Sequence, residues 1–399
     1  MVADLWLGIC TSMQFTLLPL YMIDRGFSTA VAALTMTVYM LVAVAFRPVS
    51  GRLVDSQGRY PVIIMGSAVF FLATGPFPFT LPVWLLLVMR GLQGLGFCFV
   101  GTALMTLVTD IIPKSRMSEG IGYFGVTQMI ARAFPPLLAL ALKDAFGYPV
   151  TFTVVFVISA LMMLSGFTLR WGKKKTRASD HDTGGVSGMD ASSLSPSRSD
   201  KKEPVWEKLV DRDALKPSTI MLFIAFAGSC AQTFLVVHAI SKGIGNPGVF
   251  FTANAIAIVV ARLCVGKISR KFGSVAVLAP GMALVSLSMI GMYSCANMAI
   301  LITSGACYGL GHGMVIPELN TLCVLSARNE RRGLANSTFF MAIDLGQAVG
   351  AYAMGVLAGY AGLGSIFLMG ALFAAITLFG YPLLRRKGFV RSSDFREAI

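Results

Sequence analysis

A chain of 399 residues that is 55% hydrophobic and only 13% charged carries about half the charge of a soluble domain, for which about 25% is usual. Its net charge of +14 would suit a nucleic-acid partner, but nearly every Lys and Arg sits in the breaks between apolar runs. That placement excludes nucleic acid and reads as membrane orientation. The seven cysteines show neither metal nor disulfide spacing and most lie inside apolar runs, so they read as packing residues, with no metal and no cofactor expected.

A hydrocarbon core of about 30 Å needs about 20 apolar residues per helix. That ruler marks spans at 4–23, 28–50, 61–80, 82–109, 117–142 and 149–170, then at 217–240, 247–267, 274–294, 297–325, 333–360 and 363–384. The first run lacks a basic flank and leads straight into the second, so no cleavable signal is read, and a start upstream is left open. Residues 171–216 are polar and read as a linker between halves 1–170 and 217–385, with 386–399 as a tail. The linker, the 50–60 turn, Lys114, Arg116, Lys267, Arg270, Lys271, Arg328, Arg331, Arg332 and the tail share one side, against Arg25, Lys143 and Lys242 on the other. Both termini and the linker are therefore expected in the cytoplasm.

The two halves repeat. Arg47, Gly51 and Gly58 reappear 215 positions later as Arg262, Gly266 and Gly273, and the same offset lays Gly94–Gly96 on Gly309–Gly311. A duplicated half is the simplest reading, with both copies related by an axis along the membrane normal.

The turn after the second span reads Gly51-x-Leu53-x-Asp55-x-x-Gly58-Arg59, the fourth span carries Arg90-x-x-Gln93-Gly94-x-Gly96, and Asp110 stands at the fourth span's end before "IIPKSR". These three elements, on twelve spans, resemble the major facilitator superfamily, and "ANSTFFMAIDLGQAVGAYAMGVLAG" is most similar to its bacterial drug and small-solute efflux branch. The resemblance implies two pseudo-symmetric six-helix bundles in an all-α membrane protein. It also implies that Asp55 meets the start of the eleventh span near Gly333, and that Arg59 meets Asp110, together latching the cytoplasmic side. Gly51 and Gly58 would permit a close approach and a tight turn. The alternative is a loop whose charges serve topology alone. Two departures stand out: Ser56 and Tyr60 replace the family's basic residues, and the antiporter pattern of the fifth span is reduced to "ARAFPPLLAL", with Phe134 in place of its glycine.

Ionisable groups inside spans are costly and point to function. Arg90 lies about 12 Å from the outer end of its helix, Arg132 about 15 Å from the outer end of its own, and Asp344 about 17 Å from the inner end of the eleventh span. His312 is central in the tenth span and shares a face with Tyr308, whereas Glu318, after Pro317, points about 240° away and reads as a candidate inner-gate charge. Asp344 is the candidate proton carrier, and a pairing with Arg132 or Arg90 across the halves would let substrate or proton displace one partner. A static ion pair is the competing reading. Gln14, Gln93, Gln128, Asn254 and Gln347 could line the pathway or glue helices.

No phosphate loop and no nucleophile elbow are present, so neither an ATP engine nor an enzyme is expected. The expectation is a monomeric secondary transporter of the cytoplasmic membrane that exports a small organic solute in exchange for protons by alternating access. The alternatives are a proton-coupled uptake symporter for a small organic acid or zwitterion, and a non-transporting membrane receptor or hydrolase.

Overall fold

The computed structural model describes residues 2–111, 127, 131, 133–180, 211–327 and 332–386. Arg132 and Gln128 lie outside the described residues, as do the side chains of Asp55 and Asp110.

All regular structure among the described residues is helical: α1 (Val2–Asp24), α2 (Thr29–Gln57), α3 (Arg59–Thr74), α4 (Val83–Ile111), α5 (Pro135–Asp180), α6 (Leu215–Ser241), α7 (Val249–Phe272), α8 (Val275–Ser294), α9 (Met298–Ser326), α10 (Arg332–Ala361) and α11 (Ser365–Arg386). Gly147, at φ 78° and ψ 176°, divides α5 into the end of the fifth span and the whole of the sixth. Nine of these helices are long and apolar enough to cross a membrane, and Arg59–Thr74 and Ser365–Leu378 are shorter apolar helices. Large apolar side chains such as Leu72, Trp84, Leu263 and Leu372 point outward, which only a lipid surround makes favourable.

The ends differ from the expected ones for local reasons. Helix α2 continues through Pro48 and past its apolar stretch to Gln57, ending where Gly58 takes its positive φ, so the Gly51–Gln57 motif forms its last turns instead of a loop. Helix α3 stops at Thr74 instead of continuing to 80, where Pro76 and Pro78 cannot supply helix hydrogen bonds. On the opposite face, Ser28 accepts from the Val31 amide and Asn297 from the Ile300 amide, capping α2 and α9.

The repeat is written in the backbone. Gly58 (φ 87°, ψ 170°) and Gly273 (φ 81°, ψ 169°), 215 apart, hold the same glycine-only conformation, and Gly147 and Gly362 form a second such pair at φ 78° and 84°. A Cβ on Gly94 would lie 2.2 Å from the Tyr39 carbonyl oxygen; one on Gly309 would lie 2.2 Å from that of Asn254, the same position one repeat later. Gly96 and Gly311 approach the Gly66 and Gly281 carbonyls in the same way, at 2.7 and 2.6 Å. Helix α4 thus packs into α2 and α3 as α9 packs into α7 and α8. Gly58→Ala or Gly273→Ala is expected to cost about 1–3 kcal/mol of backbone strain. A thermal melt in detergent that moves for neither would contradict that.

The halves meet along α2 with α10, α1 with α6, and α5 with α7. These contacts gather at the face opposite the termini. There Thr29 donates to the Gly355 carbonyl (2.7 Å), Thr37 donates to the Ala348 carbonyl (2.9 Å), and Thr252 donates to the Ala133 carbonyl (3.2 Å). Leu20, Leu140, Val236 and Val237 form an apolar plug beside them. A Cβ on Gly248 would lie 2.6 Å from Leu137 Cα, so the backbones touch there. The molecule is sealed on that face.

Candidate functional site

Further along α2 and α10, on the terminal side of this seal, Arg47 reaches across the halves to Asp344. Its Nε donates to Asp344 Oδ2 at 2.7 Å, and its Nη2 bonds the same oxygen. Counted along the helices, the pair is about 15–18 Å from their ends at the terminal face and about 25–27 Å from the sealed one. The side chains are 21% and 9% exposed, so the bridge is largely buried, with Arg47 its more accessible end. Helix α10 presents Asp344 to α2 because Gly346 and Gly350 seat its neighbouring face on α6. There a Cβ would lie 2.4 Å from the Leu222 carbonyl oxygen and 2.6 Å from that of Phe226.

Asp344 therefore has an arginine partner from the other half, but Arg90 is not that partner. Arg90 is 1% exposed and turned into the N-terminal half. Its Nε donates to the Thr35 carbonyl (2.9 Å), and its Nη1 donates to Gln14 Oε1 and Gln93 Oε1 (2.9 Å each). Its guanidinium lies 4.3 Å from the Tyr39 ring centroid and 5.4 Å from that of Phe15. Gln93 in turn donates to Thr74 Oγ1 at 2.9 Å. One planar cation thus stitches α1, α2 and α4, solvated by neutral oxygens and ring faces, and Gln93 extends the network to α3. Lysine cannot reproduce this fork: Arg90→Lys is expected to lower stability by about 1–3 kcal/mol, read as a fall in thermal midpoint in detergent.

In the C-terminal half the equivalent positions are uncharged. Tyr308 stands where Gln93 does and Asn254 where Tyr39 does, counted by the 215 offset. Tyr308 and His312 share a face as expected, with ring centroids 4.2 Å apart, and Gly228 leaves room for them: a Cβ there would meet the Tyr308 hydroxyl at 2.6 Å. Glu318 points away from this pair, as its spacing required, and is buried. It accepts from Ser269 Oγ at 2.9 Å, a bond between α9 and α7 within one half. An inner gate between the halves would need a partner across the interface, and this bond offers none.

In the motif at the end of α2, Gly58 makes the tight turn that was expected. Among the described residues nothing lies within 4 Å of where a Gly51 Cβ would be, and the same holds for Gly266. Gly51→Ala is accordingly expected to leave the melting temperature unchanged or raised, because alanine favours a helix interior by about 0.5–1 kcal/mol over glycine.

Arg47 was missed as a site residue, although it falls inside the second span as drawn and meets the same criterion that selected Arg90.

A duplicated bundle of apolar helices with a charged bridge between its halves is the architecture of a multi-pass membrane transporter. The family model of the Major Facilitator Superfamily matches residues 5–250 and 239–397, and the chain belongs to that superfamily. It is similar to the staphylopine export protein of Staphylococcus aureus, 23% identical over 358 residues, which cover 88% of this chain and 86% of that one. It also resembles multidrug resistance protein MdtM of Escherichia coli, 26% identical over 135 residues, 34% of this chain and 33% of that one. Among solved structures it superposes on a point mutant of the nucleoside transporter NupG with a TM-score of 0.74 at 12% identity, covering 96% and 98% of the two chains. A POT family transporter in complex with 5-aminolevulinic acid gives 0.75 at 13%, covering 98% and 96%.

Proposed function

We propose that the chain exports a small organic solute across the cytoplasmic membrane, driven by protons, with halves 1–170 and 217–385 rocking about the site between them. The positive-inside distribution of Lys and Arg supports a cytoplasmic terminal face. On that assignment the contacts that join the halves at the opposite face close the outward side, which supports reading this conformation as inward-open. The efflux relatives support the direction of transport.

The observation that carries the reading is the Arg47–Asp344 bridge. The halves cannot part along α2 and α10 without separating it, and a proton on Asp344 removes one of its two charges. Protonation therefore acts on the two conformations unequally, which is what coupling requires. In the outward-open state α2 would close on the start of α10 at the terminal face. Asp55 would then meet the helix end near Gly333 and Arg59 would meet Asp110, the latch that the motif implies. Gly51 would be covered there. Arg90 and Gln93 would hold the N-terminal half rigid while it moves.

The test is reconstitution into liposomes with an imposed pH gradient and a solute library. Export predicts solute movement against the direction of proton flow. Movement with the protons would replace export by uptake, and solute flux indifferent to a collapsed gradient would remove protons from the mechanism.

A further inference from the structure

We propose that the cargo is a zwitterion whose carboxylate is received by Arg47 and whose ammonium is received by Asp344, so that it enters the bridge between the halves and replaces it. The inference rests on the transport reading above and adds the substrate class.

Charge is what selects the cargo. Arg47 and Asp344 stand on opposite halves, and Arg47 gives Asp344 two hydrogen bonds on one oxygen. A ligand that separates them must supply what each loses, since a largely buried charge stripped of its bridge is strongly unfavourable. A cation satisfies Asp344 alone and leaves Arg47 charged, because a guanidinium keeps its proton at any physiological pH. A simple anion satisfies Arg47 but leaves the Asp344 carboxylate charged unless a proton travels with it, which exchange of solute for protons does not allow. A zwitterion replaces one bridge with two, at no net cost in charge, and bonds to both halves at once.

The position of the bridge fits an arriving solute. On the far side, Thr37 with Ala348, Thr29 with Gly355 and the Leu20–Val237 plug close the path. On the near side the bridge lies about 15–18 Å from the terminal ends of α2 and α10, and among the described residues nothing lies within 4 Å of where a Gly51 Cβ would be. A solute coming from the terminal face therefore meets the bridge before it meets the seal. The planar guanidinium accepts a carboxylate through two parallel bonds, a fit that favours carboxylate over less directional anions.

The test uses the purified full chain in detergent and reads its melting temperature against a panel of free amino acids and dipeptides. The matching methyl esters, which are cations, and the matching N-acetyl forms, which are anions, are tested in parallel with uncharged nucleosides. Free zwitterions are expected to raise the melting temperature, and blocking either end should abolish the rise. In Arg47→Gln and in Asp344→Asn the half-saturating concentration should increase about a hundredfold. Arg47→Lys should recover part of the loss. Should a single variant fail to fold, the double variant Arg47→Gln/Asp344→Asn, which strands no charge, keeps the comparison: it should fold and ignore zwitterions.

Equal stabilisation by an ester or an N-acetyl form would overturn the inference, as would a zwitterion response that survives in the double variant. A panel in which nothing stabilises the protein would do the same. Liposome flux separates this from the broader reading. Gradient-driven movement of a cationic or neutral solute would leave the transport proposal standing without its zwitterion, whereas no gradient-driven flux of any solute would remove both.

Discussion

Asp344→Asn is expected to lower gradient-driven transport at least about a hundredfold while solute exchange at equal pH on both sides persists more strongly. Asparagine keeps the size of the side chain but neither carries the charge nor binds the proton. Breaking a buried bridge by removing one partner costs about 3–5 kcal/mol, and 1.4 kcal/mol is a factor of ten. The side chains here are 21% and 9% exposed, so water recovers part of that and the lower end is the better guide. Because the lost bridge joins the halves in this conformation, the substitution should also shift the conformational equilibrium, which proton binding could no longer adjust. The check is counterflow in liposomes with and without a pH gradient. Identical gradient dependence in the variant and the parent would take Asp344 out of the coupling.

Gly355→Trp is expected to hold the outer face open and stop the cycle. At Gly355 the helices α10 and α2 touch: a Cβ would lie 2.5 Å from that of Ala33 and 2.9 Å from the Thr29 carbonyl oxygen, with Phe234 3.2 Å away. The Thr29 hydroxyl donates to the Gly355 carbonyl at the same spot. Overpacking a tight contact costs about 1–3 kcal/mol, and indole exceeds the extra methylenes from which that range comes. The sealed conformation bears this cost and a parted one does not, so the population should move by a factor of about 5–150. Spin labels at Phe79 and Tyr360, exposed positions on the outer face of the two halves, should move apart in a pulsed dipolar distance measurement, with solute flux falling in parallel. An unchanged distance distribution would mean that the contact at Gly355 does not hold the seal.

Much of the fold was legible because its signals are local. Apolar runs of fixed length give spans wherever they occur, since backbone groups in hydrocarbon must bond within their own helix. The 215-residue offset was readable because glycines that admit a neighbouring backbone cannot drift in sequence, as Gly94 with Gly309 and Gly96 with Gly311 attest. The face shared by Tyr308 and His312, and the separation of Glu318 from it, followed from helical angle alone.

What remained hidden depended on which helix faces meet. Depth along a helix put Asp344 and Arg90 both inside the membrane, yet Arg90 turns inward to Gln14, Gln93 and the Thr35 carbonyl while Arg47 crosses to Asp344, 297 residues away in sequence. Hydropathy and spacing determined that this chain is a duplicated membrane bundle with a few costly charges. The rotation and register of α2 against α10 decided which two of those charges join the halves. Those are set by the close packing of Gly346 and Gly350 on α6 and of Gly355 on α2, contacts between residues too far apart in sequence for any local pattern to record.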